Sequence, residues 1–339
     1  MYRLVAITLV CIAASPTSGQ SKTLLPAARV PSTAVFDSFR SFALPTACDE
    51  KGRLYVKLLT PDGDNGGSLL RFSKTGVQEA AFDMSAAVGF NVFAVRPKGG
   101  VSTVQDEQGY SVVNFGPDGK RESMVHLDGA HFFPSQLALF PSGEVFLSGI
   151  QRGTRESPGT YKAFTAVYDS RGHLVKQLSL DEDNEIERAI EAGDARYAGS
   201  PKQGNKGVTL GMAVSGDDGN VYLMRRTSPA SVYVISSTGE VVRKLVIAPP
   251  FAGQMPGGMQ VSQNKIALMF RRDCTSSITC EGAASYTVVD AITGEKLADY
   301  SSGDGVGGAF ACYASEPERF FFLQMSEKHR IEILEARPK

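Results

Sequence analysis

Residues 211–247, GMAVSGDDGNVYLMRRTSPASVYVISSTGEVVRKLVI, contain the pattern that decides the fold of this chain. Short alternating runs rich in β-branched residues are separated by two turns, at residues 216–219 and 236–239. Glycine in such turns accepts the positive φ that other residues avoid. These runs favour half-buried antiparallel strands over a helix. The stretch therefore predicts four strands joined by tight turns, a unit that is only marginally stable alone.

Both turns recur along the chain. The first turn, followed each time by an apolar run, appears six times, at residues 49–52, 97–100, 141–143, 217–219, 262–264 and 316–318. The second turn appears five times, at residues 73–76, 117–119, 170–172, 237–239 and 293–294. The sixth unit therefore lacks a fourth strand, which the strand-like run Thr33–Phe39 is placed to supply. Four-stranded units of roughly 45 residues predict an all-β, six-bladed β-propeller closed by an N-terminal strand that joins the last blade.

The recurring D-x-x-G-x-Φ-Y-Φ and F-x-x-x-G turns, over about residues 33–336, resemble those of six-bladed propellers of the NHL-repeat and gluconolactonase-like (TolB-like) kind. Propellers host hydrolases, lyases, receptors and scaffolds, so this resemblance implies a fold and not a function. Gluconolactonase-like members hold a divalent metal with acidic and amide side chains on their inner strands. The polar residues of the inner strands expected here include no carboxylate or histidine; they are Thr46, Asn91, Ser135, Gln136, Thr209 and Gln260. Because hard cations prefer carboxylate oxygens, we expect no metal and no other cofactor.

Residues 1–19 are predicted to be a secretory signal peptide. Arg3 precedes the apolar run Leu4–Ala14, and small residues follow before Gln20. The apolar run is shorter than the ~20 residues that span a bilayer, and no later segment is suited to spanning one. We therefore expect an exported protein, periplasmic or secreted, with an extension at 20–32. A single propeller domain should occupy 33–339, with a helical insert near 181–206.

Export leaves four cysteines, Cys48, Cys274, Cys280 and Cys312, which allow three pairings. Cys48 and Cys312 lie on the first strands of the first and last units, which become neighbours only if the ring closes. Cys274 and Cys280 bracket a short loop. We predict Cys48–Cys312 and Cys274–Cys280 disulfides. The alternative for the first pair is two buried free thiols.

The enlarged connections all fall on one face of the predicted ring, which we call the long-loop face. They lie between second and third strands or between units, at residues 58–68, 150–162, 181–206 and 272–285. Insertions confined to one face of a repeat array are typical of a binding face, although loops also vary without function.

Several side chains of the long-loop face are candidate ligand contacts. Two second strands end in arginine pairs, and guanidinium groups bind carboxylate, sulfate or phosphate through paired hydrogen bonds. The candidates are Arg225, Arg226, Arg271, Arg272, Arg152, His131, Phe132 and Gln136. The arginines are equally compatible with solvated loops, and Phe132 with packing between blades. The predicted partner is a protein segment, a glycan or an anionic small molecule.

Composition excludes some functions. A net charge of −1 argues against general nucleic-acid binding, which requires a concentrated basic surface. No serine stands in a G-x-S-x-G setting, so no catalytic residue is assigned. We therefore predict a monomeric binding or scaffold module rather than an enzyme. The alternative is a metal-dependent extracellular hydrolase or lyase that uses loop carboxylates such as Asp62, Asp64, Asp106 or Asp273.

Overall fold

A computed structural model describes residues 21–36, 41–59, 67–88, 92–106, 109–129, 132–152, 161–192, 210–272, 284–326 and 330–339. The strands, in chain order, are β1 (Lys22–Val35), β2 (Ser41–Cys48), β3 (Leu54–Leu59), β4 (Ser68–Phe72), β5 (Gln78–Asp83), β6 (Phe93–Val95), β7 (Val101–Asp106), β8 (Tyr110–Phe115), β9 (Arg121–His126), β10 (Phe133–Leu139), β11 (Val145–Arg152), β12 (Tyr161–Tyr168), β13 (Leu174–Leu178), β14 (Gly211–Ser215), β15 (Val221–Arg225), β16 (Ala230–Ile235), β17 (Val241–Ile247), β18 (Gln254–Ser262), β19 (Lys265–Arg272), β20 (Ser285–Asp290), β21 (Lys296–Ser302), β22 (Ala309–Ser315), β23 (Glu318–Met325) and β24 (Arg330–Pro338). A helix, α1 (Asp183–Glu191), lies within the predicted helical insert, and a short 3-10 turn spans Pro97–Gly99. Within the described residues, no helix combines the length and apolarity needed to cross a bilayer.

The strands form five sheets. The four runs β2 to β5, β6 to β9, β10 to β13 and β14 to β17 each make a four-stranded antiparallel sheet in chain order. The fifth sheet has eight strands in the order β18-β19-β20-β21-β1-β24-β23-β22. Its two halves meet where Lys22–Leu24 runs parallel to Tyr300–Ser302. Along the rest of its length β1 is antiparallel to β24, so an N-terminal strand joins the last sheet, as predicted.

This closing strand begins earlier than predicted. The sequence places it at Thr33–Phe39, whereas β1 starts at Lys22 and includes residues assigned to an extension. Pro26 and Pro31 argue against a strand, because proline cannot donate a ladder hydrogen bond. Both prolines stand next to register shifts in the β1–β24 ladder, where irregular pairing accommodates them.

The sheets pack side by side around a ring of their first strands. In this ring β6 contacts β10, β10 contacts β14, β14 contacts β18, β18 contacts β22, and β22 contacts β2. Residues of the first two sheets close the remaining gap, for example Phe82 against Phe115 with ring centroids 6.4 Å apart. Each large apolar cluster lies between two successive units rather than inside one. The described chain is therefore an all-β propeller, with almost no helix.

Burial follows position in each sheet. Every residue of β15 and β16 is buried, because these strands are covered on both faces by neighbouring sheets. The outermost strand β17 exposes Val241, Val242 and Val246. Continuous apolar runs in middle strands and mixed runs in outer strands are thus the sequence signature of this packing.

Cys48 and Cys312 form a disulfide with their Cα atoms 5.5 Å apart, which confirms the predicted pairing. The bond joins β2 to β22, the first strands of the first and last units, across 264 residues of chain. Cys274 and Cys280 lie outside the described residues. The ring is consequently closed twice, by the ladder between β1 and β24 and by this covalent link.

Removal of the disulfide should lower stability because the unfolded chain gains conformational freedom. We expect Cys48→Ser, Cys312→Ser and the double variant each to lower the free energy of unfolding by about 2–5 kcal/mol, because a long loop is no longer restrained. The change is measured by urea denaturation under conditions that prevent thiol–disulfide exchange. The three variants should lose the same amount, since each removes the same bond. Additive losses would show that the effect comes from packing instead.

The early start of β1 is tested by two adjacent leucines. Leu24 is fully buried in the cluster between β20 and β23, whereas Leu25 is 37% exposed. Leu24→Ala should lower the free energy of unfolding by about 2–4 kcal/mol, and the matched Leu25→Ala by under ~1 kcal/mol. Equal small effects in thermal or urea unfolding would contradict a structural role for the chain before Thr33.

Candidate functional site

A cavity of about 240 Å³ occupies the centre of the ring. Its walls are the inner strands β2, β6, β10, β14 and β18, which contribute mainly apolar side chains. The apolar lining includes Pro45, Ala47, Phe93, Val95, Leu137, Leu139, Phe140, Pro141, Met212, Ala213 and Val214. The cavity extends to the turns that link first to second strands, so it opens on the face opposite the long-loop face. We call this opening the short-turn mouth.

Three uncharged polar residues of the inner strands, Thr46, Ser215 and Gln260, line the cavity wall. Thr46 donates its hydroxyl proton to the backbone oxygen of Phe310 at 2.9 Å. The Nε2 atom of Gln260 donates to the backbone oxygen of Thr46 at 3.4 Å. These bonds tie β2 to β22 and β18 at the level of the Cys48–Cys312 disulfide, and Cys48 itself lines the wall. The predicted polar residues Thr46 and Gln260 therefore link β2 to β22 and β18.

The short-turn mouth carries charges of both signs, contributed by Asp49, Glu50, Arg96, Lys98 and Asp217. Two of these groups have partners outside the cavity. The Nε atom of Arg53 lies 2.6 Å from Asp49 Oδ2, and Arg96 Nη1 lies 2.7 Å from Glu122 Oε2. Their charges are thus already balanced.

The other three charges of the mouth are exposed. Asp217 Oδ2 accepts the backbone N–H of Gln263 at 3.0 Å, and no ion pair joins Glu50, Lys98 or Asp217 to another described residue. An apolar well with a few polar groups at its opening is the usual form of a small-molecule site.

Arg225 is not on an exposed face, contrary to the prediction. It is fully buried, and its Nη2 atom donates to Asp183 Oδ1 at 2.9 Å and to Thr165 Oγ1 at 3.1 Å. Nη1 donates to Ser148 Oγ at 3.2 Å. A buried charge needs such a partner, and loss of either residue would leave the other ion buried without one. Arg225 therefore joins β11, β12 and β15 to the start of α1, a role that its position at a strand end did not reveal.

Helix α1 covers the open edge of β12. The ladder between β12 and β13 begins at Thr165, so the earlier N–H groups of β12 have no strand partner on that side. Glu187 Oε1 accepts the N–H of Ala163 at 2.8 Å, and Glu191 Oε1 accepts that of Tyr161 at 3.4 Å. Residues four apart on a helix and two apart on a strand are both separated by about 6 Å, so the two rows match. The predicted helical insert is therefore integrated into the sheet array.

Glu182, the residue before α1, joins the helix to the outer strands of the next sheet. Its carboxylate accepts hydrogen bonds from Tyr233 and from Ser231 Oγ at 2.7 Å, and Lys244 Nζ lies 2.7 Å away. Burial opposes ionisation of Glu182, but these three donors outweigh it and hold its pKa below the ordinary value of 4.5. For Asp183, burial dominates and raises the pKa, although Arg225 acts in the opposite sense.

Among the other predicted ligand contacts, some side chains are buried within the fold and others are exposed. Phe132 is buried and stacks on Phe164 with ring centroids 4.1 Å apart, so it packs between blades. Gln136 is buried and donates from Nε2 to the backbone oxygen of Gly211 at 3.3 Å. Arg271 Nη2 donates to the backbone oxygen of Gly308 at 2.7 Å. Arg226 is partly buried and Arg272 is exposed. His131 and the side chain of Arg152 lie outside the described residues.

The carboxylates of the alternative hydrolase prediction are mostly not described. Asp62, Asp64 and Asp273 fall outside the described ranges. Asp106 ends β7 and accepts the N–H of Gly109 at 3.2 Å. Among the described residues, no three His, Cys, Asp or Glu side chains are grouped to hold a metal ion.

Sequence reasoning missed the residues of the short-turn mouth. Attention to enlarged loops led to the opposite face, whereas Glu50, Lys98 and Asp217 lie in the short first turns. The repeat places all first turns at one end of the channel. The charged residues in these turns were therefore the sequence signal for a charged opening at that end.

Comparisons with known proteins support the fold. No protein-family model matches the sequence, and no curated protein matches it. The WD40 domain of Neurospora crassa Pan2 aligns with 95% of this chain and 98% of its own, at 10% identity and a TM-score of 0.51. A gluconolactonase from Xanthomonas campestris covers 92% of this chain and 99% of its own, at 11% identity and a TM-score of 0.48. A putative TolB from Agrobacterium tumefaciens covers 89% and 90%, at 13% identity and a TM-score of 0.46.

At these identities the likeness concerns the fold alone. The likeness to the Pan2 WD40 domain agrees with the propeller fold described above. The protein is thus a β-propeller, and its activity has to be argued from its own residues.

The contacts of Glu182 predict an acid-dependent loss of stability. Because its folded-state pKa is depressed, its contribution is complete above the unfolded value of 4.5 and is lost as the pH falls through the folded value. Glu182→Gln should therefore flatten the fall in unfolding free energy below about pH 4.5. Glu185→Gln, in the exposed first turn of α1, is the control and should leave the acid limb unchanged. Identical pH profiles for Glu182→Gln and the unsubstituted protein would contradict this account.

Proposed function

We propose that this chain is an exported six-bladed propeller that acts as a binding module and takes its ligand through the short-turn mouth of the central cavity. The observation that carries this proposal is the cavity itself, about 240 Å³ of apolar well with charges at its opening, of which Glu50, Lys98 and Asp217 form no ion pair with another described residue. Few polar groups placed around an apolar well give orientation and specificity to a bound small molecule. Hydrogen bonds and the disulfide tie β2 to β22 and β18, and Gln136 ties β10 to β14, which supports a pre-formed well.

The layout of the eight-stranded sheet supports six blades. Its halves, β18 to β21 and β22-β23-β24-β1, are each a four-stranded antiparallel meander, and a parallel contact of three residue pairs joins them. Each half also packs through its own apolar clusters on its two neighbours. The short parallel contact is best explained as an overlap of the outermost strands of two adjacent blades.

Two observations support export and one domain. The predicted signal peptide directs the chain to an oxidising compartment, and the Cys48–Cys312 disulfide is of the kind that persists there. A ring closed by its own N-terminal strand leaves each unit dependent on its neighbours, as expected for a single propeller domain at 33–339 extended by the earlier residues of β1. The monomeric state stays a prediction.

The long-loop face is a proposed second contact surface. Arg271 lies on it with its Nη2 atom bound to a backbone oxygen, and Arg272 is exposed beside it. A protein segment, glycan or anionic molecule is the partner that guanidinium groups favour there. Arg225 is not part of this proposed surface, since it is buried against Asp183.

The cavity proposal is tested by filling the well. A panel of small amines, carboxylates, zwitterions and neutral compounds, each with a compact apolar group, is screened by thermal unfolding of the mature protein. A ligand at a hundredfold excess over its dissociation constant should stabilise the native state by ~2.7 kcal/mol. Ala213→Leu, which places extra carbons in the cavity, should abolish that shift.

Ala81→Leu, on the exposed outer strand β5, is the matched control and should keep the shift. If no class of compound produces a saturable shift, or if Ala213→Leu keeps it, the central cavity is not the binding site.

A further inference from the structure

The Cys48–Cys312 disulfide lies at the wall of the central cavity. Cys48 is the last residue of β2, directly before the first turn of the first unit, and it lines the cavity. The two residues that follow it, Asp49 and Glu50, line the short-turn mouth. Cys48 is therefore placed near the opening of the cavity, where a compound entering from solvent would meet it.

The two cysteines of this bond differ in their exposure. Cys48 is partly exposed, and it contacts the apolar cluster between the first and last units as a partly buried residue. Cys312 is only 6% exposed, belongs to the buried part of that cluster, and is not among the described residues that line the cavity. Thiol–disulfide exchange requires a thiolate to reach one of the two sulfurs. The cavity offers that approach to Cys48 and not to Cys312.

The ring has other contacts that hold it closed when this bond is open. Thr46 Oγ1 donates to the backbone oxygen of Phe310 at 2.9 Å, so β2 stays tied to β22 two residues away from Cys48. The ladder between β1 and β24 closes the last unit independently of the disulfide. Opening of the bond should therefore leave the fold and the cavity in place.

We propose that Cys48 is a site of reversible covalent modification by small thiol compounds that enter the cavity through the short-turn mouth. The thiolate of the compound attacks Sγ of Cys48 and forms a new S–S bond with it. The Cys48–Cys312 bond breaks, its electron pair goes to Sγ of Cys312, and that thiolate takes a proton from water. One disulfide replaces another, so no oxidant or reductant is consumed. Attack by Cys312 on the new bond releases the compound.

The size of the cavity limits the class of compound. About 240 Å³ is below the ~300–1,000 Å³ that is usual for drug-sized ligands, so the body of the thiol has to be compact. A thiol carried on the surface of a protein or on a polymer should not reach Cys48. This inference uses the cavity and the disulfide, and it does not require a non-covalent ligand.

Two single variants compare the cysteines directly. Cys312→Ser leaves a thiol at Cys48, and Cys48→Ser leaves one at Cys312. Each is treated with methyl methanethiosulfonate, which transfers its methylthio group to a thiolate with methanesulfinate as the leaving group. Rates are divided by those of the same variant in denaturant. We expect Cys48 to react about tenfold faster than Cys312 or more, because reactivity follows exposure. Equal relative rates would overturn the proposal.

Trypsin separates the two positions for mass spectrometry. Cys48 falls in the peptide 41–51 and Cys312 in the peptide 297–319, and neither peptide contains another cysteine. The route through the cavity is tested with a methanethiosulfonate attached to a large polyethylene glycol. Cys48 of the folded Cys312→Ser variant should be protected from this reagent relative to the denatured protein. Equal modification by the small and large reagents would show that Cys48 lies on an open surface.

The unsubstituted protein supplies a test that does not depend on the folding of either variant. It is incubated with 2-mercaptoethanol without denaturant, quenched with acid, and then alkylated in denaturant. We expect the mercaptoethanol adduct on peptide 41–51 and the alkyl group on peptide 297–319. Circular dichroism during the incubation should show the folded protein. The reverse placement of the two groups, or no adduct without unfolding, would overturn the proposal.

Failure of this inference is distinguishable from failure of the binding function. If Cys48 is unreactive but a compound of the panel gives a shift that Ala213→Leu abolishes, the modification site is wrong and the central binding site stands. If Cys48 is modified selectively by small reagents and no compound of the panel binds, the modification site stands without the binding function.

Discussion

Closure of the ring is the constraint on which the rest of this structure depends. A sheet of four short strands has two open edges and little core, so each unit is stable only when both of its faces are covered. The large apolar clusters lie between units, and the last unit would remain incomplete without β1. Pairing of β1 with β24 supplies the missing strand, and the Cys48–Cys312 bond fixes the first and last inner strands. Only with the ring closed do five inner strands enclose a central cavity.

The two faces of the ring differ in the arrangement of their charged side chains. On the long-loop face, the insert that contains α1 is tied to the sheets by ionic and polar contacts, among them Arg225–Asp183 and Glu187 with the edge of β12. These charged groups are paired within the fold, because a buried ion needs a partner. At the short-turn mouth, the turns are too short to fold over their own charges, and Glu50, Lys98 and Asp217 stay exposed. Exposed charges beside the cavity are therefore found on the face with the least elaborated loops.

Prediction of the fold succeeded where the repeat was regular and was incomplete where it was not. Turn residues with glycine at fixed offsets and apolar runs between them located the units and the partners Cys48 and Cys312. The start of β1 was missed because Pro26 and Pro31 are unfavourable in a regular ladder, and only the bulged register with β24 accommodates them. Arg225 was misplaced because a strand end next to a loop is ordinarily exposed, and nothing local indicates that Asp183 folds over it.

The sequence by itself determined the all-β class, the repeating unit, the displaced closing strand and the chemistry of its turns, since these depend on backbone preferences and on a periodicity that local residues encode. The tertiary structure alone decided which charged side chains are paired inside the fold and which are exposed at the opening of the cavity. Residues far apart in the chain, such as Arg53 and Gly99 or Arg225 and Asp183, meet only when neighbouring sheets pack together. The central cavity arises for the same reason, because no single unit contains more than one of its walls.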